Sequence, residues 1–283
     1  FFDFEPSEIG DLQLSDGTIT FDTDTLVLGL DGSLEEEASD VLDFIKGTPL
    51  TTALPFVEKD WQAEGRVTID GQFFMPVGEQ SPEKASIDLG FSVTNLEVKI
   101  PSLGLEFVNL IGEGTFLSPH FLSGSFFGQH FGQPVSLDFR YDPERLYIDA
   151  VGSLSAEDVY QLSDLESQNF FHGDLGYRGT LMLHMNEEVF PVFNLDSDLI
   201  GLAINVPDNL GKEKNEKENL DLSIKFLEDG RRYDIRYKSM EGYLTFGKGD
   251  PKGHLRLNSP AGVVLSDPSK VVLSGNLDLF DFL

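Results

Sequence analysis

The residues of this chain that could carry out chemistry do not form a catalytic pattern. The stretch Gly242-Tyr-Leu-Thr-Phe-Gly247-Lys248 resembles the beginning of a phosphate-binding loop, but Gly249 stands where a Ser or Thr would hold Mg²⁺. The four residues between the glycines favour a strand, which could not direct several backbone N–H groups at one phosphate. The five histidines, at positions 120, 130, 172, 184 and 254, lack the close spacing of a metal site. We therefore predict a protein that is not an enzyme, with no catalytic residue, no metal site and no cofactor.

The acidity of the chain disfavours several classes of partner. Its 283 residues include 49 Asp and Glu but only 20 Lys and Arg, which gives a formal net charge of −29. Nucleic acids and anionic membrane surfaces are recognised by basic patches, so neither is an expected partner. Carboxylate pairs arise by chance in so acidic a chain and are weak evidence for a glycosidase. A carbohydrate-active enzyme is disfavoured further because Trp61 is the one tryptophan that could stack on a sugar.

The composition indicates a folded segment of a longer protein. Hydrophobic residues make up 40% of the chain, which is too many for wholesale disorder despite the charge. No apolar run approaches the ~20 residues of a membrane-spanning helix, and no signal peptide is visible. Because residue 1 is Phe and cysteine is absent, we expect a soluble internal segment without disulfides.

Alternation of apolar and polar residues is the strongest structural signal in the sequence. It occurs in residues 87–93, 135–141, 146–150, 202–206, 220–226, 233–237 and 273–279. Side chains on a strand point alternately to its two faces, so each segment has one apolar face and one polar face. Turn residues at 142–144, 228–230 and 250–253 separate these segments, which predicts a long antiparallel meander.

Helical signals are few. They occupy residues 35–45, residues 48–57 after an N-cap at Thr48, and residues 155–162 with a capping pattern. The run of mixed charges at 212–219 is predicted to be a solvated loop. We expect one continuous repetitive sheet with approximate units 1–47, 48–165 and 166–283.

So many one-sided strands must cover their apolar faces in some way. Two sheets can pack together as a sandwich, or the sheet can close as a barrel; both fill the interior with side chains. The sheet can also curl into a trough, which leaves a long apolar floor, and exposed apolar surface of that size marks a binding site.

Several segments, in this order along the chain, resemble a recurring unit of the YhdP proteins, in the wider AsmA-like and TamB group. The most specific is residues 197–207 with its continuation at 210–212. The others are residues 48–56, 61–65, 74–77, 127–128, 131–139 and 271–282.

The resemblance implies an elongated, taco-like β-sheet groove in the periplasm of a Gram-negative cell envelope. It implies that the full-length protein is anchored in the inner membrane and moves phospholipid toward the outer membrane, which maintains the outer-membrane barrier. The expected partners are phospholipid acyl chains, the inner-membrane anchor and neighbouring groove segments of the same chain. The residues predicted to line the groove are Leu89, Phe91, Val135, Leu137, Phe139, Tyr141, Leu146, Ile148, Leu202, Ile204, Val206, Leu222, Ile224, Phe226, Ile235, Leu277 and Leu279.

Two other functions are compatible with this sequence. The first is a structural or adhesive β-sandwich, whose filled core would leave no room for lipid. The second is a factor in outer-membrane protein assembly, which the resemblance to TamB suggests.

Overall fold

The computed structural model describes residues 2–4, 7–9, 12–23, 27–47, 57, 59–76, 86–117, 121–142, 144–163, 170–184, 186, 189–206, 210–258 and 269–275. The part of the chain that the structure describes is 70% strand and 8% helix, and its strands pair mostly antiparallel. The prediction of an all-β fold with a few short helices is therefore confirmed. The chain divides into two units, Phe1–Ile148 and Asp149–Leu283.

The first unit is an antiparallel succession of strands. β1 (Phe2–Phe4) and β2 (Ser7–Ile9) both pair with β3, and each strand from β3 to β9 pairs with the next. A helix, α1 (Ala38–Gly47), lies between β4 and β5 along the chain and contacts both of them. The longer strands are β3 (Leu12–Asp22), β4 (Val27–Glu37), β5 (Gln62–Pro76), β6 (Ser86–Ile100), β7 (Leu105–Leu117), β8 (Phe121–His130) and β9 (Gln133–Asp142).

The second unit continues the pattern with two departures from a simple meander. β10 (Arg145–Ser155) begins in the first unit and ends in the second, where α2 (Ala156–Ser163) follows it. The remaining strands are β11 (Phe171–His184), β12 (Val192–Ser197), β13 (Leu202–Ile204), β14 (Leu220–Leu227), β15 (Gly230–Tyr237), β16 (Met240–Gly247), β17 (Lys252–Leu257) and β18 (Val271–Gly275). β12 pairs with β14 and β13 pairs back with β11, because the chain between β12 and β14 makes an excursion. The other departure is that β17 and β18 are parallel.

The predicted helices have different outcomes. The helix expected at 35–45 begins only at Ala38, because Glu35, Glu36 and Glu37 still pair with β5, where Arg66 bonds to Glu35 at 2.9 Å. The helix expected at 155–162 is confirmed as α2. Ser155 N donates to Asp158 Oδ2 at 2.6 Å, and Asp158 N donates to Ser155 Oγ at 3.2 Å, which is a reciprocal capping box. The helix expected at 48–57 lies, apart from residue 57, outside the described residues.

Among the irregularities in the ladders of the first unit, which include one in β3 between Leu14 and Asp16, are bulges in β6 and β7. The register shifts in β6 between Val93 and Leu96, and again in β7 between Val108 and Ile111. Asn95 and Asn109 have φ angles of 53° and 55°, in the left-handed region that Asn tolerates better than most residues. Because a one-residue slip moves every later side chain to the other face, the extra residue in β6 keeps Leu96 on the same face as Val93.

Candidate functional site

One face of the first unit is apolar across six adjacent strands. Residues that lie directly opposite each other in an antiparallel ladder share a face, so the register identifies the side chains of each row. One row runs from β4 to β9 and consists of Leu34, Ile69, Phe91, Gly114, Gly124 and Phe139. One row beside it consists of Val67, Val93, Gly112, Phe126 and Leu137, and on β4 it ends at the acid Glu36. The other consists of Gly32, Gly71, Leu89, Phe116 and Leu122. We call these three rows the first apolar face.

The opposite face of the same strands is mainly polar, although Ile111 and Phe127, which pair across β7 and β8, are both exposed on it. Its central row consists of Glu35, Thr68, Ser92, Glu113, Ser125 and Asp138. Hydrogen bonds join neighbours on this face: Ser125 Oγ donates to Asp138 Oδ1 at 2.5 Å, and the hydroxyls of Thr115 and Ser123 lie 3.1 Å apart. The alternation in the sequence therefore separates the two chemistries onto opposite sides of one sheet.

Aromatic rings form part of the first apolar face. The ring of Phe91 stacks on that of Phe126 with 6.1 Å between their centroids, and Phe139 meets Phe126 edge to face at 5.1 Å. Phe126 is buried, whereas Phe91 and Phe139 are half-buried. The face thus has a packed row, with Val67, Val93, Phe126 and Leu137 all buried, beside rows whose side chains keep part of their surface open.

The second unit has an apolar face that spans seven strands. One row consists of Gly179, Leu195, Leu222, Ile235, Gly242, Leu255 and Leu273. The next consists of Leu181, Phe193, Ile224, Tyr233, Leu244, Gly253 and Val271. On β18 this face is open, since Val271 is 40% and Leu273 47% exposed. We call these two rows the second apolar face.

The opposite face of the second unit carries a ladder of charges. The row consists of Arg178, Asp196, Asp221, Arg236, Glu241 and Arg256. Arg256 bonds to Glu241 at 2.7 Å, while Arg236 lies 3.8 Å from Asp221 and 3.9 Å from Glu241. A concavity of about 640 Å³ is lined mostly by polar-face residues, among them Asp196, Asp221, Arg236 and Glu241, and also by Leu195, Leu222, Ile235 and Gly242 of the second apolar face. Opposite charges are neighbours at every step of this ladder except between the adjacent acids Asp196 and Asp221, a pattern typical of a solvated face held by ion pairs.

The predicted lining residues fall into two groups by exposure. Seven of them are buried: Val135, Leu137, Leu146, Ile148, Leu202, Ile204 and Phe226. Those that keep a half-buried side chain are Leu89, Phe91, Phe139, Tyr141, Val206, Leu222, Ile224 and Ile235. Leu277 and Leu279 lie outside the described residues. The half-buried members are the ones on which an apolar ligand could rest without displacing the core.

Lys212 corrects the prediction of a solvated loop at 212–219. Its side chain is only 5% exposed, and Nζ donates to the carbonyls of Leu199, Leu202 and Glu213 at 2.9, 2.6 and 2.9 Å. Burial lowers the pKa of this ammonium below its ordinary value. Residues 213–217 are exposed, as expected. A charged run does not reveal that its first member lies in a cage of carbonyls, and only the specific family-like stretch 197–212 hinted at a defined structure here.

Other titratable groups of the described residues serve the fold. His130 Nδ1 lies 2.7 Å from the carbonyl of Glu106, and His254 Nε2 lies 2.6 Å from Ser274 Oγ. Burial raises the pKa of Tyr177 to about 12. Burial, with smaller contributions from the charges of Glu218 and Glu216, raises the pKa of Tyr237 to about 12. Within the part of the chain that the structure describes, no three His, Asp or Glu side chains come close enough to hold a metal ion.

The phosphate-loop-like stretch has no loop geometry. Gly242 to Gly247 lie in strand β16, as the residues between the two glycines predicted. Lys248 forms an ion pair with Asp229 instead of pointing at a binding site. Neither of the two described helices has the length and apolarity needed to cross a membrane.

Comparison with known proteins identifies the family of this chain. The sequence model of the YhdP protein family matches residues 7–283, which is almost the whole chain. The chain belongs to the YhdP family. No curated protein and no solved structure matches it. The resemblance inferred from the ordered motifs is therefore confirmed.

Membership of the YhdP family gives a general functional class. The family is part of the AsmA-like group of lipid-transport proteins, and it is associated with the cell envelope. It is not known for enzymatic activity. An apolar sheet face without a catalytic arrangement in the described residues is compatible with that class.

Proposed function

We propose that this chain is a non-enzymatic segment of a lipid-conducting surface, and that phospholipid acyl chains travel along its two apolar faces. The observation that carries the proposal is the register. Apolar side chains stay in line across six strands of the first unit and seven of the second, with mainly polar side chains on the other side. Family membership supports the same class of ligand.

Such a surface must shield the hydrocarbon of the acyl chains from water. Each buried CH₂ contributes about 0.8 kcal/mol, so two acyl chains of about 16 carbons forfeit on the order of 25 kcal/mol in open water. Rows of Leu, Ile, Val and Phe replace that burial at every step. Because these side chains resemble one another, no position on the face holds the ligand much more tightly than the next.

The headgroup requires no dedicated site in this mechanism. It can remain in water beside the sheet while the tails lie on the apolar face, so no acid, base or metal takes part. The exposed acids of the polar face, such as Glu113 and Asp138, keep a sheet with large apolar areas soluble and protect it from aggregation.

We further propose that the chain works in the periplasm, between the inner and outer membranes. There it would join neighbouring groove segments of the same full-length protein, anchored in the inner membrane, and help to maintain the outer-membrane barrier. The family's association with the cell envelope supports this location.

Photo-crosslinking tests the assignment of the faces. A photoreactive amino acid at Leu89 or Leu222, both half-buried on an apolar face, is expected to capture phospholipid from the bacterial envelope. The matched controls are Asp88 and Ser223, one residue along the same strands on the polar face, where little capture is expected. Mass spectrometry of the adducts identifies the lipid.

Equal capture at the apolar-face positions and at the polar-face controls would overturn the assignment of the faces. No lipid at Leu89 or Leu222, in protein that remains folded, would overturn lipid conduction and favour a structural sheet with a filled core. Buried Leu137 and Ile148, which the sequence also nominates, are less suitable probe positions because a larger residue there would disturb the core.

A further inference from the structure

Phenylalanine rings lie against glycines on both apolar faces, Phe193 on Gly179 and Phe91 on Gly114 among them. In the second unit, the ring of Phe193 on β12 covers Gly179 on β11 so closely that a β-carbon at Gly179 would overlap it. In the first unit, Phe91 lies directly opposite Gly114, and a β-carbon there would come within 2.5 Å of its Cζ atom. Neither glycine has a positive φ. At Gly179 a side chain would have to displace the far end of the Phe193 ring, whereas at Gly114 it would also meet the backbone carbonyl oxygen of Ser123 at 2.7 Å.

The orientation of these rings determines how thick the side-chain layer is. Where a neighbouring residue lacks a β-carbon, an aromatic ring can lie flat on the backbone; elsewhere a side chain stands roughly perpendicular to the sheet. A flat ring keeps the face apolar and leaves the space above it free. Phe91 and Phe193 are both half-buried, so each keeps part of its surface exposed.

We propose that Gly179 and Gly114 set the depth of the lipid path, by letting Phe193 and Phe91 lie flat as the floor on which an acyl chain rests. This inference rests on the proposed function and names the residues that determine how much hydrocarbon the path admits. A methyl group at Gly179 would lift the ring of Phe193 into the space that the acyl chain needs. The face would stay equally apolar and become shallower.

Gly179 offers the cleaner test. Besides the ring, the nearest atom to a β-carbon at this position is the carbonyl oxygen of Asn194 at 3.4 Å, which is an ordinary contact. The matched control is Gly176, on the same strand but on the polar face, where the nearest atom is the carbonyl oxygen of Gly152 at 4.0 Å. Alanine removes the same backbone freedom at both positions, and only Gly179→Ala displaces a ring.

The experiment measures capture of phospholipid by a photoreactive residue at Leu222, which lies in the same row as Gly179. The purified chain is mixed with vesicles of phosphatidylethanolamine and phosphatidylglycerol, and the adduct is quantified by mass spectrometry. Gly179→Ala is expected to lower the yield about tenfold, equivalent to about 1.4 kcal/mol of lost affinity. Gly176→Ala should leave it unchanged, and Gly179→Ala with Phe193→Ala should restore it, because the lifted ring is gone.

The outcomes separate this inference from the proposed function. If the chain with the photoreactive residue at position 222 and no other change captures no lipid, both the proposed function and this inference are overturned. Capture by the unmodified chain and equally by Gly179→Ala overturns the role of the glycine alone. If Gly179→Ala lowers capture and Phe193→Ala does not restore it, the ring is not the obstacle and the inference also fails. Circular dichroism of each variant verifies that the sheet is intact.

Discussion

The Nζ atom of Lys212 donates a 2.9 Å hydrogen bond to the carbonyl oxygen of Leu199, thirteen residues earlier in the chain. Two further carbonyls accept from the same ammonium, and backbone bonds in both directions join Ile204 and Lys212. The buried cation of Lys212 therefore helps to hold together the excursion between β12 and β14.

Removal of this cation should open the excursion locally. Lys212→Ala leaves buried carbonyls without a donor, and each such group costs about 1–3 kcal/mol. We expect the amide of Ile204, which donates to the carbonyl of Lys212, to exchange its hydrogen at least about a hundredfold faster. The exposed Lys214, changed to Ala, is the control and should alter exchange little. Unchanged protection in Lys212→Ala would show that the carbonyl contacts contribute nothing.

The bulge at Asn95 predicts an unusual tolerance for glycine within a strand. At a φ of 53°, a β-branched residue is strained, whereas Gly adopts this region freely. We expect Asn95→Val to lower the free energy of unfolding by about 1–2 kcal/mol, and Asn95→Gly to change it by less than about 0.5 kcal/mol. Urea denaturation measures both. A Val variant as stable as the Gly variant would contradict the left-handed conformation.

Tyr177 should make the second unit sensitive to alkaline pH. Its pKa is about 12 in the folded chain against an ordinary 10.0, so the unfolded chain loses its proton first as the pH rises. The contribution of this group to stability is complete below pH 10 and is lost progressively up to about pH 12. A shift of this size corresponds to about 3 kcal/mol. Urea denaturation over this range should give a shallower fall in stability for Tyr177→Phe than for the unmodified chain; equal slopes would contradict the shift.

Two arginines of the same charge ladder should differ in importance. The side chain of Arg256 is 16% exposed and bonds to Glu241 at 2.7 Å, whereas that of Arg236 is 68% exposed and its closest carboxylate oxygen is 3.8 Å away. We expect Arg256→Gln to cost about 2 kcal/mol of unfolding free energy, and Arg236→Gln less than about 0.5 kcal/mol. Thermal or urea unfolding compares them. Equal losses would mean that partial burial of the ion pair adds no stability.

The alternation of residues was sufficient to predict which side chains share a face. Leu222 and Ser223 fall on opposite sides, and their partners across the ladders, Ile235 and Asp234, follow the same parity. The prediction succeeds because a strand has only two faces. The order of residues along one strand therefore determines which of its side chains lie beside those of the neighbouring strands.

Features that depend on a single local exception could not be predicted in this way. The bulge at Asn95 breaks the alternation by one residue, and the alternation noted in the sequence ends before it, at residue 93. The burial of Lys212 leaves no signal in the sequence, because the groups that accept its hydrogen bonds are backbone carbonyls, which every residue has. The rings that lie on Gly114 and Gly179 depend on diagonal or cross-strand neighbours that only the register reveals.

The number of strands in an apolar row determines the width of the apolar face. Neighbouring strands are separated by about 4.8 Å, so six strands in line make a surface about 24 Å across. The hydrocarbon of one bilayer leaflet is about 15 Å deep, half of the ~30 Å core. A tail lying across the strands of the first unit would therefore find cover for its full length without reaching either margin.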